Sequence, residues 1–145
     1  MIEIVKNEKQ NKNKMTIRSN LSQGIHDRVI NTAYNNLDKI GFDIYINPGQ
    51  SKNTSIGNQY PDIIITDKGS DRAKWIIEVE TLETITKNEA LTQWNEYSKL
   101  GGIFYLLVPK NYRNIAELIC VQNNIKARFG TYEFDKFNNI IISYE

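Results

Sequence analysis

Two isoleucine-rich segments, separated by a short polar turn, constrain the fold of this chain more than any other feature of its sequence. Residues 62–66 contain three consecutive isoleucines, and residues 74–80 read KWIIEVE. Short, nearly continuous apolar runs of this kind are typical of strands that are covered on both faces of a sheet. The polar turn DKGSD at 67–71 lies between them and predicts an antiparallel hairpin.

Three carboxylates fall near one end of this predicted hairpin. Side chains alternate along a strand, so Glu78 and Glu80 share one face. If the hairpin is centred on Ser70, Asp62 faces Glu78 with Cβ atoms roughly 5 Å apart. Like charges held this close destabilise a sheet unless a cation lies between them, and an all-oxygen set of ligands favours a hard divalent ion such as Mg²⁺. The alternative is a solvated strand end, and a register slip of one residue would also scatter the three side chains.

The remaining sequence patterns predict an α/β domain in which helices flank a mixed central β-sheet. Apolar residues at helical spacing predict a first helix over 23–40, with Ser22 as its N-cap and Gly41 as its C-terminal stop. Residues 49–59 are polar and contain glycine, which predicts an exposed loop. The other predicted elements are strands at 42–46 and 103–108, helices at 83–100 and 113–124, and a terminal hairpin of 127–134 and 140–144.

Composition divides the chain into a short basic segment and one larger domain. Residues 1–20 carry five basic and two acidic side chains among many asparagines. This composition predicts a flexible N-terminal arm, either simply solvated or in contact with phosphate. Residues 21–145 show no further change of composition and are long enough for a single domain. The net charge of +1 is too small to give the strongly positive electrostatic field that is typical of nucleic-acid-binding proteins.

Cysteine content and the length of apolar runs bear on the environment of the protein. Cys120 is the single cysteine, which excludes a disulfide framework and a cysteine-based zinc site. The sequence opens without a signal-peptide pattern, and its longest apolar run, 103–108, is far too short to cross a membrane. We therefore expect a cytoplasmic protein without a membrane partner.

Two short motifs resemble those of the PD-(D/E)xK nuclease superfamily. Tyr60-Pro61-Asp62 opens the first strand of the hairpin, and Glu78-Val79-Glu80 closes the second. Gln93 and Tyr97, on the helix that follows, look like the Q-x-x-x-Y element of many of these nucleases. The order of elements over residues 22–112 is also similar to the restriction-endonuclease-like αβββαβ core of the family. The resemblance implies a metal-dependent nuclease that hydrolyses phosphodiester bonds in DNA, as an endonuclease rather than an exonuclease.

The resemblance also implies a metal site and a group that acts on water. Asp62 and Glu78 would hold Mg²⁺ or Mn²⁺, with the carbonyl oxygen of Val79 as a further ligand. Glu80 would orient or deprotonate the attacking water, or help to hold a second metal ion.

Supporting residues on two helices are implied as well. Gln93 and Tyr97 would position the backbone near the cleft; the alternative is that Tyr97 is a core aromatic and Gln93 bonds to the backbone. The family carries an acidic residue on its first helix, where this chain offers His26 and, as a weaker candidate, Asp27. His26 follows the inward apolar positions of that helix and is a catalytic candidate, although a lone inward histidine is more often a hydrogen-bonded structural residue.

One position departs from the pattern of the family. Glu80 stands where the family usually has a lysine that polarises or orients the water. A few restriction endonucleases of the superfamily have glutamate at this point, so the resemblance still allows activity, and Lys74 or Lys87 would then supply the positive charge. The alternative is a catalytically inactive nuclease-fold module that binds nucleic acid or a protein partner.

Candidate DNA contacts are single basic side chains rather than a motif. No base-reading element is visible, which favours binding by the shape or the ends of DNA. A homodimer is expected by similarity to resolvases and restriction enzymes of the superfamily. The residues that would contact phosphate are those of the N-terminal arm together with Lys52, Lys110, Arg113, Lys126 and Arg128.

Overall fold

A six-stranded mixed β-sheet is the centre of the fold. The computed structural model describes residues 4–6, 18–49 and 51–145. Its strands are β1 (Ile4–Lys6), β2 (Phe42–Ile46), β3 (Thr54–Ile56), β4 (Ile63–Asp67), β5 (Ala73–Val79), β6 (Ile103–Pro109), β7 (Arg128–Phe134) and β8 (Ile140–Tyr144). The sheet has the order β2-β4-β5-β6-β7-β8, in which β5, β6 and β7 run parallel and the other neighbours are antiparallel. The predicted α/β class with a mixed central sheet is therefore confirmed.

Helices cover both faces of this sheet and create two apolar layers. They are α1 (Asn20–Asn36), α2 (Lys87–Glu89), which continues through a π-helical turn (Ala90–Trp94) into α3 (Asn95–Tyr97), and α4 (Arg113–Gln122), with 3₁₀ turns at Leu82–Thr84 and Lys110–Tyr112. α1 packs Val29, Ile30 and Ala33 against one face, while Trp94 and Ala116 belong to the apolar layer on the other. Within the described ranges, no helix combines the length and the apolar character needed to cross a membrane.

The central hairpin has the predicted register. The three pairs nearest the carboxylates are Ile63–Ile77, Ile64–Ile76 and Ile65–Trp75. A bulge between Ile65 and Thr66 then shifts the pairing. Because this irregularity lies toward the turn, it leaves the register beside Asp62 as the sequence predicted.

The first helix begins and ends earlier than its pattern predicted. Ser19, not Ser22, is the N-cap, since its hydroxyl oxygen accepts a hydrogen bond from the backbone N–H of Ser22 at 3.2 Å. Ser22 lies inside the helix and its hydroxyl donates to Thr81 Oγ1 at 2.6 Å. The helix ends at Asn36, and Gly41 instead takes a φ of 83° in the turn before β2. Either serine satisfies the capping pattern, so the tertiary contact with Thr81 decides between them.

The segment predicted as a loop over 49–59 contains a strand. β3 pairs antiparallel with β1, so part of the predicted N-terminal arm forms regular structure. Asn47 anchors the segment, because its side-chain nitrogen donates to the carbonyl oxygens of Thr54 at 2.8 Å and Pro61 at 2.7 Å. Residues 1–3 and 7–17 of the predicted arm lie outside the described residues.

Candidate metal centre

The carboxylates of the central hairpin meet at one end of the sheet. Asp62 lies directly before β4 and donates its backbone N–H to Glu78 Oε1 at 3.1 Å, while Val79 donates its backbone N–H to Asp62 Oδ2 at 2.8 Å. Asp62 and Glu80 are 0% exposed, and Glu78 is 1% exposed. The alternative of a solvated strand end is therefore wrong. Burial this complete requires that the charges be neutralised by protonation, by a protein cation or by a bound ligand.

Among the described residues, a close group of three carboxylates includes one that was not predicted. Glu78, Glu80 and Glu89 each offer an oxygen, and these three oxygens lie within 4.8 Å of one another. Glu89 comes from α2, which packs over the sheet, and it is as buried as the hairpin carboxylates. Asp62 does not belong to this set, and one of its oxygens is already held by the backbone of Val79.

Gln93 connects two members of this group. Its amide faces two acceptors, so the consistent orientation is the one in which its nitrogen donates to Glu78 Oε2 at 3.0 Å and to Glu89 Oε1 at 2.6 Å. Gln93 belongs to the π-helical turn that directly follows Glu89. Such turns insert an extra residue into a helix and are frequent at functional sites. The predicted proximity of Gln93 to the carboxylates is therefore present, and its partners are side chains rather than backbone.

Tyr97 lies one turn further along and faces the same carboxylates. The ring is 2% exposed and meets the ring of Phe104 edge to face, with centroids 6.0 Å apart. Burial, together with the charges of Glu78 and Asp62, raises the pKa of Tyr97 well above its usual value. Tyr97 is thus a core aromatic residue, which agrees with the alternative prediction. Its uncharged side chain also lines the site.

Burial shifts the titration of Glu80 strongly. Neither of its buried carboxylate oxygens receives a hydrogen bond from the residues that the structure describes. The hydroxyl of Thr84 is close enough to lower the pKa of Glu80, but it donates its hydrogen bond to the carbonyl oxygen of Thr81 at 3.2 Å. Burial, reinforced by the charge of Glu89 and opposed by the charge of Arg18, raises the pKa of Glu80 from 4.5 to about 8. Without a bound cation, the neutral form of this side chain is favoured near neutral pH.

Arg18 is the protein cation nearest to Glu80. Its Nη2 donates to the carbonyl oxygen of Val79 at 3.3 Å and lies 3.8 Å from Glu80 Oε2. The following residue fixes the position of Arg18, because the backbone N–H and hydroxyl of Ser19 donate to the carboxylate of Glu83 at 3.0 and 2.9 Å. Composition assigned Arg18 to a solvated arm, yet its side chain is only 3% exposed.

Of the two lysines suggested as sources of positive charge, Lys74 lies away from the carboxylates. Lys74 is near the start of β5, at the end away from the carboxylates, and its Nζ lies 3.2 Å from Asp67 Oδ1. Lys87 is exposed at the start of α2. Lys74 therefore does not compensate Glu80, and Arg18 lies beside that carboxylate instead. For Lys87 the expectation stays a prediction.

His26 lies behind Asp62 and holds it in position. Its Nε2 is 2.9 Å from Asp62 Oδ2, and its Nδ1 is 3.0 Å from Asp27 Oδ1. Burial lowers the pKa of His26, but the charge of Asp62 and hydrogen bonds to both aspartates outweigh that effect and raise it. His26 thus points inward as predicted, and its contact with the site is the hydrogen bond to Asp62. Asp27 in turn accepts a hydrogen bond from the backbone N–H of Gly49 at 2.8 Å.

The candidate phosphate contacts are scattered over the surface. Lys110 follows β6 and therefore lies at the sheet end that holds the carboxylates, whereas Arg128 begins β7 at the opposite end. Lys52 Nζ lies 4.9 Å from the ring centre of Tyr60, two residues before Asp62. Arg113 is held by two carboxylates, with nitrogen–oxygen distances of 2.6 and 2.7 Å. Lys126 is exposed in the turn before β7.

Sequence reasoning missed Glu89 and Arg18 as members of the site. Glu89 had a signal, since it precedes Gln93 by four residues and so shares its helix face. Arg18 had none, because a single arginine in a polar, asparagine-rich segment is indistinguishable from a solvated charge. No protein-family model, curated protein or solved structure matches this chain.

Proposed function

We propose that the chain is a metal-dependent nuclease of the PD-(D/E)xK type that hydrolyses phosphodiester bonds in DNA as an endonuclease. The observation that carries the proposal is the buried group of Glu78, Glu80 and Glu89, whose oxygens lie within 4.8 Å of one another. A second argument is that neither buried oxygen of Glu80 receives a hydrogen bond from the described residues. Buried carboxylates in this state are costly, and a bound cation removes that cost.

The donor set fits a hard divalent cation. Glu78, Glu80 and Glu89 contribute only carboxylate oxygens, which are ligands that suit Mg²⁺ and Mn²⁺. Such an ion, when bound, lowers the pKa of a bound water and neutralises charge that develops on a phosphate. Val79 fits less well as a ligand than the resemblance implies, because its carbonyl oxygen already accepts a hydrogen bond from Arg18.

The side chains around the group would fix the geometry of the reaction. Gln93 holds one oxygen each of Glu78 and Glu89, which restricts both carboxylates to one orientation. His26 and the backbone of Val79 do the same for Asp62. In this proposal, Glu80 orients the attacking water or accepts its proton, because its oxygens are the ones without a hydrogen bond from the described residues.

Cleavage assays on supercoiled, linear and branched DNA with Mg²⁺ or Mn²⁺ test the proposal. We expect Glu78→Gln, Glu80→Gln and Asp62→Asn to reduce cleavage by at least about 100-fold, since each removes a ligand or its orienting neighbour. Glu96→Gln is the matched control, because Glu96 is an exposed glutamate on the same helical segment. Cleavage that persists in the three site variants would indicate a contaminating nuclease and contradict the assignment.

The contacts of Arg18 favour a second candidate function. A guanidinium that pairs with Glu80 and bonds to the Val79 carbonyl supplies one positive charge from within the chain. A site that is partly compensated in this way is compatible with an inactive nuclease-fold module that binds nucleic acid or a protein partner. The two candidates differ in metal binding: the nuclease should bind Mn²⁺ through Glu80 and Glu89, and the inactive module should not.

We also propose that the protein acts as a homodimer, because one small domain presents a single site and cleavage of a duplex needs two. Light scattering after size-exclusion chromatography would then give twice the chain mass of 16.8 kDa. A monomer mass at concentrations that support double-strand cleavage would contradict this part of the proposal.

A further inference from the structure

A cavity of about 480 Å³ lies at the same end of the sheet as the carboxylates. β5, β6 and β7 run parallel, so their last residues, Val79, Pro109 and Phe134, lie at the same end of the sheet. The cavity is lined by residues from two of these ends, the turn after β6 and the last part of β7. Its volume falls within the range of roughly 300–1,000 Å³ that is typical of small-ligand pockets.

One hydrogen bond joins this cavity to the carboxylate group. The hydroxyl of Tyr132, a lining residue, donates to the backbone carbonyl oxygen of Glu80 at 2.9 Å. The side chain of Tyr132 therefore separates a molecule in the cavity from the backbone of Glu80, the residue that we place next to the reacting phosphate.

The lining combines aromatic rings with one ion pair, and a further cation lies beside one of the rings. Tyr112, Tyr132 and Phe134 contribute rings, and the last two meet edge to face with centroids 6.4 Å apart. The guanidinium of Arg28 lies 5.4 Å from the ring centre of Phe134. Lys110 also lines the cavity, with its Nζ 2.9 Å from Glu133. Tyr132 is only 4% exposed, whereas Tyr112 is partly exposed and Phe134 is 38% exposed. Such partly exposed rings with cations beside them form a surface on which unpaired nucleobases can stack.

The turn between β7 and β8 adds an exposed ring at the same end of the sheet. Phe137 at its tip is 73% exposed. The turn itself is well ordered by hydrogen bonds, since Asp135 Oδ1 accepts from the backbone N–H groups of Phe137 and Asn139 at 2.8 Å each. Arg28 ties the tip to α1 by donating to the carbonyl oxygen of Asn138 at 2.9 Å. The ring is therefore held in a fixed position where it is available to contact a partner.

We propose that this cavity and the Phe137 tip bind unpaired bases of a DNA strand next to the scissile phosphate. The inference rests on the proposed nuclease function and names its substrate class: single strands, overhangs and splayed junctions rather than continuous duplex. Stacking on aromatic faces discriminates strongly between unpaired and paired bases and weakly between sequences. This agrees with a chain in which no base-reading element is visible.

Binding assays in EDTA separate this inference from the question of catalysis. The probes are fluorescein-labelled DNA as a 20-nucleotide single strand, a splayed duplex and a blunt duplex, and fluorescence anisotropy measures the affinity. We expect the first two to bind the wild type at least about tenfold more tightly than the blunt duplex, and Phe137→Ala and Tyr112→Leu to lose about tenfold each on them. Tyr144→Ala is the matched control, because Tyr144 is a 42% exposed ring at the opposite end of the sheet.

The possible outcomes distinguish the two proposals. Phe137→Trp should retain affinity, and circular dichroism should show that each variant is folded; Phe137 is so exposed that its replacement does not disturb packing. Equal affinity for all three probes, or unchanged affinity in both aromatic variants, overturns the inference while leaving the nuclease proposal intact. If the single strand and the splayed duplex bind more tightly than the blunt duplex but no DNA is cleaved in Mg²⁺, the base-binding inference is supported and the nuclease proposal is contradicted. Absence of binding to every probe also overturns the inference, and the cleavage assays with Mg²⁺ or Mn²⁺ still decide the nuclease proposal.

Discussion

Arg18 donates a hydrogen bond from Nη2 to the carbonyl oxygen of Val79 across 61 residues of the chain, and the same nitrogen lies 3.8 Å from Glu80 Oε2. Both side chains are almost completely buried, at 3% and 0% exposure. Because the nitrogen lies beyond hydrogen-bond distance of the buried Glu80 carboxylate, the stability of the metal-free fold should depend on pH and on added cations.

Metal-free protein should lose stability as the pH rises from about 4.5 to about 8. Burial is the main cause that raises the pKa of Glu80 from 4.5 to about 8. A carboxyl group whose pKa is raised by folding stabilises the fold below its unfolded pKa, and this contribution is lost as the pH rises through the folded pKa. Glu80→Gln stays neutral at every pH. The free energy of unfolding of Glu80→Gln minus that of the wild type should therefore be roughly 2–4 kcal/mol larger at pH 9 than at pH 5. Urea unfolding in EDTA measures this difference, and parallel pH profiles would contradict it.

Mn²⁺ should raise the melting temperature of the wild type and release protons as it binds. Carboxylates bind metal in the ionised form, so the affinity should increase between pH 6 and pH 8.5. At about 100 times Kd, the stabilisation should reach about 2.7 kcal/mol. Glu89→Gln should remove most of it, and Glu96→Gln should retain it. Thermal unfolding, with calorimetry in two buffers of different ionisation enthalpy, provides the measurement; an undiminished shift in Glu89→Gln is the result that would rule out this metal site.

Arg18→Met should destabilise the protein more at pH 9 than at pH 6. Methionine replaces part of the aliphatic stem but leaves the buried carbonyl of Val79 without its donor, at a cost of about 1–3 kcal/mol. At pH 9 Glu80 is ionised and also loses its counter-ion, which adds to the loss. A double-mutant cycle with Glu80→Gln isolates the pairwise coupling at each pH. If the two substitutions were additive at pH 9, the ion pair would have no energetic role.

Gln93→Leu should impair nuclease activity more than folding. Leucine fills a similar volume but cannot donate to Glu78 and Glu89, so both carboxylates lose a fixed orientation. A loss of about 10–100-fold in kcat/KM is expected from the removal of such a supporting contact. Cleavage kinetics and thermal unfolding, measured beside Glu96→Gln, separate the two effects. Full activity in a folded Gln93→Leu protein would mean that the amide does not orient the site.

The hairpin and its register were predictable from the sequence because their causes are local. Three isoleucines, a polar turn and the alternation of side chains fix which residues face one another. That register brought Asp62 beside Glu78 before any coordinates were needed. Burial of the carboxylates was not predictable in the same way, since it depends on α1 and on the helical segment after β5.

The parts of the site that sequence reasoning missed depend on packing between distant segments. Glu89 reaches Glu80 because of the way α2 lies over the sheet, and Arg18 reaches Val79 because Ser19 and Ser22 attach the start of α1 to residues 81–83. The strand β3 was missed for a similar reason: its partner, β1, lies about 50 residues earlier in the chain. None of these pairings leaves a periodic pattern in the sequence.

The number of residues in the π-helical turn Ala90–Trp94 determines the angle around the helix axis between Glu89 and Gln93. Each residue added to or removed from a helix rotates everything beyond it by roughly 100°. A one-residue deletion here would restore an ordinary helix and swing the amide away from the carboxylates, whereas many substitutions at the solvent-facing position Leu91 would leave the angle intact. This short stretch should therefore accept changes of side chain far more readily than changes of length.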